Sequence, residues 1–136
     1  MNVEERNKHI EKIFRDCMNI MNSKGRDYAG TEDVLRNFKL GSKVLKISPR
    51  QVLGVYVFKP ALPIIRCLLG EPIHSEPIEE RIKDVINYLL LLYCMLVEEG
   101  VIKEKESKDD GVQIKKYADG STLWVKDGIV IKEDSY

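Results

Sequence analysis

The chain has 136 residues, of which 43% are hydrophobic and 32% are charged. This composition is typical of a folded globular protein and excludes a fully disordered chain. Twenty-two lysines and arginines balance 22 aspartates and glutamates, so the formal net charge is zero. Domains that bind nucleic acid usually carry a basic excess, so we do not expect nucleic acid as a partner.

The N-terminal residues are charged and contain no apolar stretch of the kind that a signal peptide requires. The most apolar run, Val85 to Val97, is shorter than the roughly 20 residues that span a bilayer. We therefore expect no membrane partner and a cytoplasmic location. Each of the three cysteines lies in an apolar segment, which predicts reduced thiols in the core: Cys17, Cys67 and Cys94.

Hydrophobic periodicity predicts two helices in the first third of the chain. The first runs from about Val3 to Asn22, and Gly25 is expected to stop it before a loop at residues 26–30. Thr31 is a suitable N-cap for the second helix, which we expect to end near Lys46.

A third helix is predicted to start at Ser48 and Pro49, because serine is a good N-cap and proline suits the first helical position. Pro60 and Pro63 predict a kink or a break within it, followed by a continuation to Leu69.

The fourth helix is the most strongly predicted. Ser75 is expected to cap it, and it should run to about Glu99, where Gly100 ends it. Asp-Gly pairs at 119–120 and 127–128 then predict turns between three strands, at 112–117, 122–126 and 129–132.

The predicted fold class is therefore mainly α, with a small C-terminal antiparallel β meander. We expect three regions along the chain. They are a four-helix bundle-like core at residues 1–100, a charged linker at 101–110 and the meander at 111–136.

An acidic stripe follows the fourth helix, because residues four, four and three positions apart share one helical face. Its members are Glu76, Glu80, Asp84 and Asn87. A carboxylate close to apolar surface is costly unless it is paired or bound to a cation. One interpretation is a magnesium site that bridges to substrate phosphates and is completed from the second helix by Glu32, Asp33 or Asn37.

The alternative interpretation of this stripe is a solvated helix face. Lys83 would then pair with Glu79, and Arg81 with Asp84, as ordinary surface ion pairs. The basic residues are open to the same two interpretations. Lys24 and Arg26 around Gly25, or Lys59 and Arg66 on the third helix, either contact a phosphate or are solvated.

Two segments carry a resemblance to a known family. Residues 24–30, followed by Asn37 and Phe38, resemble the "K-x-x-D-Y-G … N-F" opening of small phage and prophage proteins. Residues 75–89 resemble their closing "E-x-x-x-D-x-x-N-Y" helix. These proteins are described as nucleotide-modification-associated or MazG-like, and they are similar to the all-α nucleoside triphosphate pyrophosphohydrolases. The resemblance covers about Ser23 to Glu99.

The resemblance implies an all-α fold, a homodimer and a magnesium-dependent hydrolase in the cytoplasm of a bacterial host cell. Water would attack the α-phosphorus of a nucleoside triphosphate and release pyrophosphate. Glu80 and Asp84 would be catalytic, and both would hold magnesium together with Glu32 and Asp33. The implied substrate-binding residues are Lys24, Arg26, Asp27, Tyr28, Asn37, Lys59, Asn87 and Tyr88.

Two other functions stay open at this point. The same pocket would serve a protein that binds a nucleotide, or a nucleotide-like signal, without hydrolysing it. In a third hypothesis the helical core is structural and the β meander docks a partner protein.

Overall fold

The computed structural model describes residues 1–28, 32–73, 77–105, 112–116, 122–126 and 129–134. The chain is mainly helical, which confirms the predicted class. It divides into two compact units, Met1–Ile102 and Lys103–Tyr136. The elements are α1 (Val3–Tyr28), α2 (Arg36–Leu45), α3 (Pro49–Leu68), α4 (Ile78–Glu98), β1 (Val112–Lys116), β2 (Thr122–Lys126) and β3 (Ile129–Asp134).

Helix α1 begins with a reciprocal cap. The Asn2 N–H donates to the Glu5 carboxylate, and the Glu5 N–H donates to Asn2 Oδ1, both at 2.9 Å. The helix then runs through Gly25 to Tyr28, so the predicted stop at Gly25 is wrong. Glycine tolerates the left-handed conformation that ends a helix, but it also accepts helical angles when the chain beyond it continues the helix.

Helix α2 starts at Arg36, later than predicted, and Thr31 lies outside the described residues. The reason is the side chain of Asp33, whose Oδ1 accepts the Leu35 N–H at 3.0 Å and stabilises a turn before the helix. Lys46 ends α2 in the left-handed conformation, with φ of 56°, close to the predicted end.

Helix α3 starts as predicted. The Gln51 N–H donates to the Ser48 hydroxyl at 3.2 Å, and the Ser48 N–H donates to the Gln51 side chain at 2.9 Å. The helix is continuous through Pro60 and Pro63, so no break occurs there. Each proline removes one backbone donor, but Pro60 is buried in the core and this packing holds the segment in place.

Among the described residues, α3 is the one helix long and apolar enough to cross a membrane by length and composition. Core helices of water-soluble proteins also meet that criterion, and 17% of the most apolar window of α3 is buried. Helix α4 begins at Ile78 with Pro77 at its N-cap position, so the predicted cap at Ser75 is wrong by two residues. Gly100 follows the end of the helix with φ of 76°, as predicted. The expected cap Ser75 and the acidic residue Glu76 lie outside the described residues.

The core of the helical unit lies where α3 packs along α4 and α2 packs on α3, while α1 packs on α4. Phe38 meets Tyr56 edge-on with ring centroids 6.0 Å apart, and Tyr56 stacks on Tyr88 at 6.2 Å. The buried residues of this cluster are Leu35, Phe38, Val52, Leu53 and Met95.

The C-terminal unit contains one antiparallel sheet with strand order β1-β2-β3. Ile114 pairs with Trp124, and Trp124 pairs with Lys132. The register shifts between Trp124 and Val125, whose partners are Lys132 and Val130, so the extra residue of this irregularity is Ile131 on β3. The connections between the strands lie outside the described residues.

Candidate functional site

A group of polar side chains lies where α1 packs on α4, centred on Lys83. The Lys83 ammonium is 3.5 Å from the Asp16 carboxylate and 3.2 Å from the Glu80 carboxylate. The Lys83 side chain is only 16% exposed, so its charge depends on these two carboxylates. We refer to Asp16, Cys17, Glu80, Lys83, Asp84 and Asn87 as the Lys83 cluster.

The cluster keeps Lys83 positively charged. The hydrogen bond to Glu80 is the main reason that the pKa of Lys83 lies above its ordinary value, and Asp16 acts in the same direction. This pairing differs from the one predicted for a solvated face, in which Lys83 pairs with Glu79. The cause is α1, which brings Asp16 alongside α4.

Cys17 is fully buried in the same cluster, and its Sγ lies 3.9 Å from the Lys83 carbonyl oxygen. Burial raises the pKa of the Cys17 thiol, the charge of Lys83 opposes that rise, and the nearby carboxylates add to it. The thiol is therefore protonated and is not a nucleophile. Cys67 and Cys94 are exposed, so the prediction of core thiols is correct for Cys17 and wrong for these two.

The Oδ1 atom of Asn87 is enclosed by protein and accepts no hydrogen bond from the described part of the chain. An unsatisfied buried acceptor costs about 1–3 kcal/mol. Asn87 lies one helical turn from Asp84 and Lys83, within the Lys83 cluster. The cluster therefore offers an unused acceptor on the same side of α4 as Asp84.

The predicted residues of α4 thus lie together, but those of the α2 region lie elsewhere. The Lys39 ammonium is 2.8 Å from the Asp33 carboxylate and also bonds to Glu98. Glu98 is 14 residues beyond Asp84, which corresponds to about 21 Å along the helix. Asp33 is thus held at the opposite end of α4 from Asp84, and the neighbouring Glu32 is exposed.

The predicted magnesium ligands therefore do not share one coordination sphere within a single chain. Across the residues that the structure describes, no group of three or more His, Cys, Asp and Glu side chains is placed to hold a metal ion.

The predicted substrate-binding residues are also spread over the helical unit. Lys24 and Asp27 are exposed near the end of α1, and Lys59 is exposed on α3. Asn37 is half-buried on α2. Tyr88 packs against the hydrophobic core and stacks on Tyr56, which gives it a structural role. The side chains of Arg26 and Tyr28 lie outside the described part.

A second polar feature, which we did not predict, lies at the far end of α4. It is a cavity of about 150 Å³, and the Arg50 side chain donates to Glu99 beside it at 2.6 Å. Small-molecule sites usually measure about 300–1,000 Å³, so this cavity is smaller than a nucleotide site. Its lining residues are Leu35, Lys39, Pro49, Met95, Glu98 and Glu99.

One sequence signal for this second feature was available. Glu98 and Glu99 stand at the C-terminus of α4, where the helix dipole disfavours negative charge and cationic partners are needed. Lys39 and Arg50 are those partners.

The Lys83 cluster and the cavity are the two polar features that a comparison with known proteins could help to interpret. Comparison of the chain with protein families, curated proteins and solved structures gives no match.

Proposed function

We propose that this chain is a magnesium-dependent, MazG-like phage protein that hydrolyses a nucleoside triphosphate in the cytoplasm of a bacterial host, with the Lys83 cluster as its site. The observation that carries the proposal is the enclosed Oδ1 atom of Asn87, which has no hydrogen-bond partner among the described residues and belongs to a residue one helical turn from Asp84. Such an acceptor is stabilised by a ligand donor or by a cation.

The donor types in the cluster fit magnesium, which prefers carboxylate and amide oxygens. Glu80, Asp84 and Asn87 would hold the ion from α4 only after their side chains rearrange, because in the described structure they are not placed to hold a metal and the Lys83 ammonium lies between Asp16 and Glu80. Asp16 on α1 replaces Glu32 and Asp33 as the ligand from a second helix, because Lys39 holds Asp33 at the other end of α4. When bound, magnesium polarises a phosphate group and favours ionisation of the attacking water.

Lys83 balances the cluster while no divalent ion is present. Its ammonium lies between Asp16 and Glu80, which are both proposed ligands. Once its two carboxylate partners hold a metal ion, Lys83 would be available to contact the phosphates of the nucleotide, since a lysine serves well as a point charge for phosphate. Lys24 and Lys59 are further exposed cations for this purpose.

The test is a thermal-shift screen against nucleoside triphosphates with and without magnesium, followed by an assay of released pyrophosphate. We expect stabilisation that requires magnesium, because a ligand that binds only the folded state raises its stability. Asp84→Asn should abolish turnover. Glu79→Gln is the matched control, because Glu79 is exposed and lies about 140° around the helix from Asp84.

Other outcomes of that screen select the other functions. Stabilisation by a nucleotide without any magnesium dependence, and without turnover, would identify a non-catalytic nucleotide-binding protein. No shift with any nucleotide, and no turnover, would contradict the proposal.

The second candidate function is an interaction protein. Among the described residues, 22 large hydrophobic side chains are exposed, whereas six hydrophobic residues form the buried core. Six of the exposed side chains lie on α3, and exposed apolar side chains that gather on one element are typical of a surface that meets another macromolecule.

We also infer bundle-like packing for the four helices. Helix α4 contacts both α1 and α3, and α3 contacts α2, so each helix has at least one neighbour. The β meander is proposed as a separate C-terminal unit beyond the charged linker.

A further inference from the structure

The segment from Val34 to Gly70, which contains α2 and α3, has no acidic residue. It holds seven lysines and arginines, so its formal charge is +7 in a chain whose net charge is zero. Three of these cations form ion pairs with carboxylates outside the segment: Lys39, Arg50 and Arg66. The other four are exposed and form no ion pair with the residues that the structure describes: Arg36, Lys43, Lys46 and Lys59. A basic excess is therefore concentrated on two helices that pack against each other.

The outward side of α3 carries an exposed apolar face. Six large hydrophobic side chains, each between 43% and 81% exposed, lie within about 140° of one another around the helix. Leu53 and Pro60 are buried on the other side of α3. A face of this width is broader than the seam between two paired helices, so it suits an extended apolar environment. We call this set the α3 face; it consists of Val55, Phe58, Leu62, Ile65, Leu68 and Leu69.

The α3 face lies in a part of the chain that offers few hydrogen-bonding groups. From Val52 to Gly70 the sequence contains no Ser, Thr, Asn, Gln, His, Asp or Glu. Its strong side-chain donors are Tyr56, Lys59 and Arg66. An interface with a folded protein typically carries about ten direct hydrogen bonds and a polar rim. The hydrocarbon of a lipid bilayer requires no such bonds, so the α3 face fits lipid better than a folded partner.

Two cations border the α3 face on one side. Lys59 and Arg66 lie within about 40° of Val55 around the helix. Long basic side chains at the edge of an apolar face can bury their methylene stems there and extend their charges to lipid headgroups. Anionic headgroups attract such cations. Nucleic acid also carries phosphates, but it offers no apolar phase to the six hydrophobic side chains beside them.

From this arrangement we propose that α3 lies on the surface of an anionic lipid bilayer. The α3 face enters the boundary between headgroups and acyl chains, and Lys59 and Arg66 lie among the headgroup phosphates. Helices in such an interface bury their apolar side by about 5–10 Å. The remainder of the helical unit supplies the polar side that keeps α3 from sinking further.

This proposal differs from the expectation of no membrane partner, which came from the length that a bilayer span requires. A helix that lies on the surface does not need that length. The cytoplasmic leaflet is the anionic one, so the proposal agrees with a cytoplasmic location. It does not depend on the chemistry of the Lys83 cluster, and its test needs neither nucleotide nor magnesium.

The first experiment is flotation of the full chain with vesicles made of equal parts phosphatidylglycerol and phosphatidylcholine, at low salt. We expect the chain to float with them and to bind pure phosphatidylcholine vesicles at least about tenfold more weakly, because each cation near an anionic surface strengthens binding by on the order of fivefold. High salt should weaken the binding to the anionic vesicles, since salt screens the attraction.

The double variant Phe58→Gln, Leu62→Gln tests the apolar contact. It should bind the anionic vesicles about tenfold more weakly, because two large side chains no longer leave water on binding. Phe14→Gln, Met18→Gln is the matched control, since these residues are 51% and 55% exposed at the same spacing on α1. The control should bind like the unaltered chain. Circular dichroism shows that both variants keep their helices.

The double variant Lys59→Gln, Arg66→Gln tests the electrostatic contact. It should also weaken binding to the anionic vesicles by about tenfold at low salt, and its binding should depend less on salt than that of the unaltered chain. Lys8→Gln, Arg15→Gln removes the same charge from exposed positions on α1 with the same spacing, so it should bind like the unaltered chain.

A fluorescence measurement covers the case in which a double variant fails to fold. In a chain with Cys67→Ser and Cys94→Ser, a label on Leu62→Cys should shift its emission to the blue when anionic vesicles are added. The same label on Met18→Cys should not shift. Cys17 does not interfere, because it is fully buried.

Several results would overturn the proposal. They include no flotation at low salt, equal binding to both kinds of vesicle, and equal losses in the α3 variants and the α1 controls. A doubled mass in light scattering that Phe58→Gln, Leu62→Gln halves, without flotation, would show that a second copy covers the α3 face. Binding to duplex DNA that Lys59→Gln, Arg66→Gln loses, again without flotation, would assign the cations to nucleic acid.

Discussion

Asp33 has two bonding partners that connect the start of α2 to the end of α4. Its carboxylate accepts the Leu35 N–H at 3.0 Å and lies 2.8 Å from the Lys39 ammonium, which also bonds to Glu98. The hydrogen bond from Lys39 is the largest cause of a lowered pKa for Asp33, and the Leu35 N–H is the next.

This lowered pKa has a consequence for stability at acid pH. A carboxyl group that ionises more readily in the folded state contributes stability above its ordinary pKa of 3.8, and that contribution is lost as the pH falls through the lower folded value. We expect urea unfolding at neutral pH and at pH near 3 to show a smaller loss of stability for Asp33→Asn than for the unaltered chain. Glu32→Gln is the control, because this neighbour is exposed. An equal acid loss in Asp33→Asn and the unaltered chain would contradict the role of Asp33.

Single residues were predicted well where local chemistry decides their role. Ser48 as an N-cap and Gly100 after α4 follow from hydrogen bonding and backbone angles that involve only nearby residues. The partners of Lys83 and the exposure of Cys67 were not predictable in this way. They depend on which helix lies alongside, and sequence spacing does not contain that information.

At the scale of elements, α2 and α3 approach each other closely at Gly41. A Cβ atom at this position would lie 3.0 Å from Cγ1 of Val52, which belongs to the buried core. The absence of a side chain therefore lets the two helices pack tightly.

We expect Gly41→Leu to lower the free energy of unfolding by about 1–3 kcal/mol, because overpacking forces the core to shift. Gly25→Leu provides the control, since a Cβ atom at that helical position has no neighbour within 4 Å. The control should not destabilise the chain, because leucine is a better helix former than glycine. Chemical denaturation of both variants makes the comparison, and equal stability for the two would contradict the close approach.

Helix existence was easier to predict than helix limits. All four helices lie where hydrophobic periodicity places them, but α1 continues past Gly25 and α2 starts only at Arg36. Both differences arise from competition between local signals. A glycine permits a stop without enforcing it, and the Asp33 side chain stabilises a turn where a helix start was expected.

At the scale of the whole molecule, the buried hydrophobic residues that the structure describes all belong to the unit Met1–Ile102. We therefore expect a chain that ends at Ile102 to keep its helical circular dichroism and to unfold cooperatively. Its melting temperature should lie within a few degrees of that of the full chain at equal concentration. Loss of cooperative unfolding on truncation would show that the helices need the C-terminal unit.

The candidate site was predicted in part. Glu80, Asp84 and Asn87 were placed on one stripe correctly, because helical periodicity is a local property. The distance between Asp33 and Asp84 was not predictable, since it depends on how α2 is oriented against α4. Asp16 was missed for the same reason, because its position beside Lys83 follows from the packing of α1 on α4.

The cap at Asn2 and Glu5 starts a helix whose first part has little else to hold it. Helix α1 is about 39 Å long, and residues 1–12 are all exposed. A helical segment of about a dozen residues is marginal in water when it is isolated, so the cap and local hydrogen bonds must maintain these turns. The amide protons of residues 6–12 should consequently exchange rapidly with solvent, through local opening of the helix. The amide protons near Cys17 should exchange more slowly, because their exchange requires larger unfolding events. A gradient of deuterium uptake along this one helix would thus report directly on where tertiary packing begins.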